Sequence, residues 1–132
     1  MSDEDSNVES IENVKYFLKK LQYLLNDDTC QLDVQRGRKG QDRSDSNTTV
    51  NTMLDLEYNT GDIKEELLSL KTSDYIETVK DRKRPGSSNY WVFLKKIRGR
   101  EVYIKLKIHS VNKIHLMSFH YAAFGIENKP YK

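Results

Sequence analysis

Glu101-Val102-Tyr103-Ile104-Lys105-Leu106-Lys107-Ile108-His109 is the stretch that decides how this chain folds. Val102, Ile104, Leu106 and Ile108 alternate with Tyr103, Lys105, Lys107 and His109. Successive strand side chains point to opposite faces, so the stretch predicts a strand with one apolar face and one cationic, aromatic face. Residues 90 to 97 and 113 to 121 share its β-branched and aromatic character. Arg98-Gly99-Arg100 is a short hairpin link between the first two segments. Together they predict an antiparallel three-stranded meander. On the last segment Phe119 and Met117 are expected to face the core, which turns Ser118 and His120 to the side of Tyr103. His115 and His120 are an odd number of residues apart and fall on opposite faces of a regular strand, which denies them a shared metal ion.

Working outward, the apolar row must be covered by helices, and the N-terminal half supplies them. Val14, Phe17, Leu18, Leu21 and Leu25 recur at helical spacing after Ser10, a good N-cap, and predict a helix from Ile11 to Asn26. Gln31-Leu32-Asp33-Val34-Gln35 alternates like a short strand. Residues 36 to 47 contain no apolar side chain and predict a mobile loop that adds Arg36, Arg38, Lys39 and Arg43 to the basic groups. Val50, Met53 and Leu54 predict a second helix capped near Asn47, and Gly61 punctuates it. Asp62 to Leu70 predicts a third, with acidic residues in its first turn, followed by a turn of helix around Thr72 to Glu77. Residues 1 to 9 are polar and acidic, a disordered lead-in to a single domain over residues 10 to 132. The expected class is α+β, with N-terminal helices packed on a C-terminal antiparallel sheet.

Composition narrows the function. The 132 residues include one cysteine, Cys30, too few for an intrachain disulfide or a cysteine-based zinc site, and consistent with a reducing cytoplasm. The longest apolar run, Tyr90 to Leu94, is far short of the ~20 residues that span a bilayer, and the acidic start differs from an export signal. A cytoplasmic protein with no membrane segment is expected. The net charge of +2 hides a division: residues 1–66 sum to −7 and residues 67–132 to +9. Residues 80–109 hold 10 basic and 2 acidic side chains interleaved with Tyr90, Trp91, Phe93 and Tyr103, a mix suited to neutralising phosphates and stacking bases. The same charges also suit an ordinary solvated sheet face.

No glycine-rich phosphate loop, G-x-S-x-G elbow or His-Glu-x-x-His motif occurs, which removes the standard nucleotide hydrolase and zinc protease classes. No metal or cofactor is called for. The side chains present suit metal-free phosphodiester cleavage. That chemistry needs a base for the 2′-hydroxyl, an acid for the leaving 5′-oxygen and cations for the charge between them. His120 and Tyr103 are the candidates for the proton transfers, although an isolated histidine at a strand end more often hydrogen-bonds backbone.

Glu101-Val102-Tyr103-Ile104-Lys105-Leu106-Lys107, followed by Met117-Ser118-Phe119-His120 and preceded by Trp91 and by Leu70-x-x-x-Asp74-Tyr75, resembles the MqsR toxins, mRNA interferases of RelE-like fold. The resemblance covers about residues 50 to 123. It implies the toxic half of a toxin–antitoxin pair that cuts cellular mRNA, and a cognate antitoxin that contains zinc and binds DNA. The family's functional tyrosine falls on Tyr103, and its functional lysine after Ser-Phe falls on His120, which keeps a proton donor. The polar residue after the tryptophan falls on Val92 and a further functional lysine on Glu77, both departures from the pattern. Lys80, Arg82 and Arg84 are the expected replacements for the lost cation.

The expectation is therefore a metal-independent endoribonuclease leaving 2′,3′-cyclic phosphate and 5′-hydroxyl ends. His120, Tyr103 and Lys105 are its catalytic candidates, and Lys107, Arg82, Arg84, Lys80 and Trp91 its RNA-binding ones. Two alternatives use the same residues: a non-catalytic RNA-binding module, and a protein-interaction relic of such a toxin whose basic half docks an acidic partner.

Overall fold

The computed structural model describes residues 5–36, 48–122 and 129–132. Helix α1, Ile11–Leu25, starts where Ser10 accepts a hydrogen bond from the Asn13 amide, and buries Val14, Phe17, Leu18, Leu21, Leu24 and Leu25 along one stripe. Helix α2, Thr49–Leu56, is capped by Thr48, next to Asn47 as expected; Asn47 itself lies outside the described residues. Helix α3, Thr60–Leu68, opens with a reciprocal capping box between Asn59 and Asp62. Gly61, expected to separate helices, sits inside the first turn of α3, because the actual break is made by the left-handed Glu57 at the end of α2.

The sheet is larger than the expected meander. Strands β1 (Ser6–Asn7), β2 (Gln31–Val34), β3 (Tyr75–Val79), β4 (Tyr90–Ile97), β5 (Arg100–Ser110) and β6 (Lys113–Tyr121) form one six-stranded sheet in the order β1-β3-β4-β5-β6-β2. It is mixed rather than purely antiparallel, since β2 runs parallel to β6, with Asp33 opposite His115. The α+β class holds. Two segments read differently from the sequence: residues 5–9, placed in the lead-in, supply β1 on the edge of β3, and the helical turn after Thr72 ends at Asp74 and gives way to β3. Tyr75 and Thr78 are buried there, and that tertiary burial overrides the local helical reading.

The β4–β5 link is tight. Ile97 pairs with Arg100, and Arg98 and Gly99 both take positive φ, the backbone of a two-residue type I′ turn that suits glycine in its second place. Arg98 then reaches the last carbonyl region of α2, its guanidinium donating to the Leu56 carbonyl oxygen at 3.1 Å. The core lies on one face of the sheet. Phe93, Val102, Ile104, Leu106, Ile114, Leu116 and Phe119 are fully buried against the helices. Phe17 of α1 stacks on Trp91 with ring centroids 4.3 Å apart.

At the edge of β6, α2 takes over where β2 stops. The amides of Phe119 and Tyr121 donate to the buried hydroxyls of Thr49 and Thr52, both at 3.1 Å, so side chains of a helix satisfy a strand edge that no strand among the described residues covers.

Candidate nucleic-acid interface

A single irregularity arranges the other face. Lys105 pairs with Ser118, but Leu106 pairs with Leu116, so Met117 is an extra residue, a β-bulge in β6. Met117 therefore does not point into the core as expected; it is half-buried and faces the open side beside Lys105 and Lys107. The extra residue also restores parity between the two histidines. Tyr103 pairs with His120 and Lys107 with His115, which puts both rings on the same face, contrary to the expectation for a regular strand. They remain apart. The four β5 steps from Tyr103 to Lys107 correspond to about 13 Å, too far for one small ion to bridge.

The loop after β3 folds over this face and closes a cleft of about 630 Å³. Asp81 organises the loop. One of its carboxylate oxygens accepts from the amides of Lys83 at 3.0 Å and Arg84 at 3.2 Å, and the other takes the Lys107 ammonium at 2.7 Å. Lys107 also donates to the Ser87 hydroxyl at 3.2 Å and lies over the Tyr90 ring. Hydrogen bonding from Lys107 holds the Asp81 carboxyl below its ordinary range, and burial, aided by the Asp81 charge, pushes the Tyr90 phenol up. Lys107 is 2% exposed. Its charge is answered within the protein, and its structural role is to anchor the loop.

The loop in turn displays Lys80, Arg82, Lys83 and Arg84 around the cleft, facing Lys105 and Lys113 from the sheet. Lys105 lies with its ammonium 5.2 Å from the centre of the Tyr90 ring. Arg82 forms an ion pair with Asp5, whose backbone oxygen also accepts from the Lys80 amide at 2.7 Å. Glu77 reaches the same cleft from β3, where a cation was lost relative to the resembled pattern. Val92, its partner on β4, is fully buried, so no polar group stands in that row between Glu77 and Lys105.

Tyr103 and His120 continue the strip beyond the cleft. Their rings stack at 5.3 Å with 16° between planes. The His120 Nδ1 atom lies 3.0 Å from the Tyr121 carbonyl oxygen; that oxygen can only accept, so Nδ1 carries hydrogen and Nε2 is the basic nitrogen of the neutral ring.

Of the predicted site residues, Lys80, Arg82, Arg84, Lys105 and Lys107 meet at the cleft, and Tyr103 and His120 adjoin it along the same strand pair. Trp91 does not join them. It lies on the core face, opposite Leu106 and against Phe17, because its strand position has the parity of Phe93. Arg36 is exposed and donates to the Thr60 hydroxyl at 3.2 Å; Arg38, Lys39 and Arg43 lie outside the described residues. Sequence reasoning missed Asp81 and the pair Asp33–His115, and it gave Tyr90 only a general stacking role. Asp81 opens the run Asp81-Arg82-Lys83-Arg84-Pro85-Gly86, a turn composition that signals a side chain folding onto its own backbone. No described helix is long and apolar enough to cross a membrane. Comparison of the chain with family models, with curated proteins and with solved structures finds no match.

Proposed function

We propose that this protein is a metal-independent endoribonuclease of RelE-like fold, the toxin of a cytoplasmic toxin–antitoxin pair, acting on mRNA. The observation that supports this reading is the Tyr103–His120 stack, two residues along β5 from Lys105 and the cleft that Lys80, Arg82 and Arg84 also line: two side chains able to transfer protons near cations suited to a phosphodiester backbone. Neutral His120, with Nδ1–H held by the Tyr121 carbonyl, takes the ribose 2′-hydroxyl proton on Nε2. The 2′-oxygen bonds to phosphorus, the bond to the 5′-oxygen breaks, and Tyr103 protonates the leaving oxygen. Lys105 stabilises the charge on the phosphorane. The products are a 2′,3′-cyclic phosphate and a 5′-hydroxyl. The resemblance to MqsR toxins suggests the partner: a zinc-containing, DNA-binding antitoxin that neutralises the toxin.

The test is cleavage of a short RNA by purified protein in EDTA, with growth arrest on expression as the cellular readout. His120→Ala should abolish cleavage, and Tyr103→Phe should slow it by roughly 10²-fold. RNA that binds the wild type and stays intact would leave a non-catalytic RNA-binding module in its place. Binding of an acidic protein without binding of RNA would leave the interaction relic.

A further inference from the structure

The far end of the cleft holds a second histidine with a partner of its own. His115 Nδ1 lies 2.9 Å from the Asp33 carboxylate across the parallel β2–β6 pairing, and both side chains line the cleft. A carboxylate accepts, so Nδ1 donates and the ring is fixed with Nε2 available; among the described residues no hydrogen-bond partner occupies that nitrogen. Tyr90 braces the ring from β4, with centroids 6.1 Å apart. We infer that His115, oriented by Asp33, is a proton-switched subsite for an internal phosphate of an RNA strand, set apart from the Tyr103–His120 stack. The inference rests on the RNA-binding half of the proposed function and not on its cleavage step.

Protonated His115 presents an Nε2–H donor with positive charge to a phosphate oxygen. Neutral His115 presents a lone pair, which repels it. The charged groups around the ring favour an anion. Lys113 shares its strand, Lys107 is its partner on β5 with Lys105 and His109 to either side on the same face, and Lys83 and Arg84 line the cleft from the loop. Asp33 and Asp81 supply the opposing charge, but Asp81 is already engaged by Lys107. Tyr90 remains a neutral phenol, since burial raises its pKa. About 13 Å separates this subsite from the stack, so a strand must extend roughly two nucleotides past the stack to engage both ends. The subsite therefore sets a minimum length for a strand that engages both His115 and the stack.

The experiment uses 2′-O-methyl oligonucleotides of two and eight residues, which cannot be cleaved through the 2′-oxygen. Binding to the full chain is measured from pH 5.5 to 8 for wild type, His115→Gln, His115→Lys and Asp33→Ala. For wild type the preference for the longer strand should grow as pH falls. His115→Gln should lose about tenfold of that preference at pH 5.5, the size of one charge-assisted hydrogen bond, and should bind the two-residue strand as wild type does. His115→Lys should keep the preference at pH 8 and flatten its pH dependence, a rescue that a merely structural histidine would not show. Asp33→Ala should fall between wild type and His115→Gln. His109 and His120 are present in all four proteins, so the difference between wild type and His115→Gln isolates His115. Equal length preference and equal pH dependence in wild type and His115→Gln would overturn the inference. Cleavage of unmodified RNA is scored separately: a protein that binds as described and never cuts would sink the endonuclease and uphold the subsite.

Discussion

The two faces of the β4–β5–β6 ribbon are built from the same strands and obey different rules. On the core face Phe93, Ile104, Leu106 and Phe119 are fully buried, and each contributes by the apolar area it removes from water. On the cleft face the basic side chains are not equivalent. Lys107 is buried and paired with Asp81, Arg82 is exposed and paired with Asp5, and Lys105 lies along an aromatic ring. The contrast teaches that a row of lysines read from a sequence is a row of positions, and that only the surroundings show which charges remain to meet a phosphate.

The largest effect should come from the core. Phe93→Ala or Ile104→Ala removes a fully buried side chain and should cost roughly 4 kcal/mol in denaturant unfolding. A loss under about 1 kcal/mol would mean that this face is less tightly packed than its burial implies. Next is Lys107→Met, which takes the ammonium from the half-buried Asp81 carboxylate and leaves it only the Lys83 and Arg84 amides, at a cost of roughly 2 kcal/mol. The same variant should change acid sensitivity. Lys107 keeps the folded Asp81 carboxyl below its unfolded value of about 3.9. The pair's contribution is thus complete above that value and lost as pH falls through the lower, folded one. Stability curves of wild type and Lys107→Met should converge in strong acid; a gap that stays constant from pH 7 to 2 would show that Asp81 is not the linked group.

RNA binding should separate the lysines. If Lys105, Arg82 and Arg84 each neutralise a phosphate, removing Lys105 lowers the log–log salt slope by about 0.7. Removing the charge at position 107 in Lys107→Met, assayed where the variant stays folded, should leave the slope as it is, because that charge is balanced internally. A slope that responds to position 107 and not to 105 would reverse the distinction between the two. The smallest effect belongs to Asp5→Asn. The exposed Arg82 pair should contribute under ~1 kcal/mol, read as a shift in denaturation midpoint, and a larger loss would give β1 a structural weight its two residues do not suggest.

What could be read from the sequence follows the strength of its local signals. The alternation from Val102 to His109 and the helical spacing from Val14 to Leu25 each carry several residues in agreement, and both elements stand where they were expected. Strand β3 was hidden because Tyr75 to Val79 owes its conformation to pairing with β4, a contact remote in sequence. The Met117 bulge was invisible for a related reason: the register of β6 is set jointly by Lys105–Ser118 and Leu106–Leu116, and no local residue type announces the extra position. That one residue moved His115 from the face opposite His120 to the cleft face. The Asp33–His115 pair needed, in addition, a parallel strand contact between residues 82 apart.

The two threonines of α2 that cap the edge of β6 also set a clock. Outward-facing edge amides ordinarily exchange with solvent deuterium early, since no strand shields them. Phe119 and Tyr121 should instead exchange late, and together, at the rate at which α2 lifts from the sheet. Helix and strand edge thus form one opening unit next to His120. Any ligand that tightens that end of the sheet should slow both amides by the same factor.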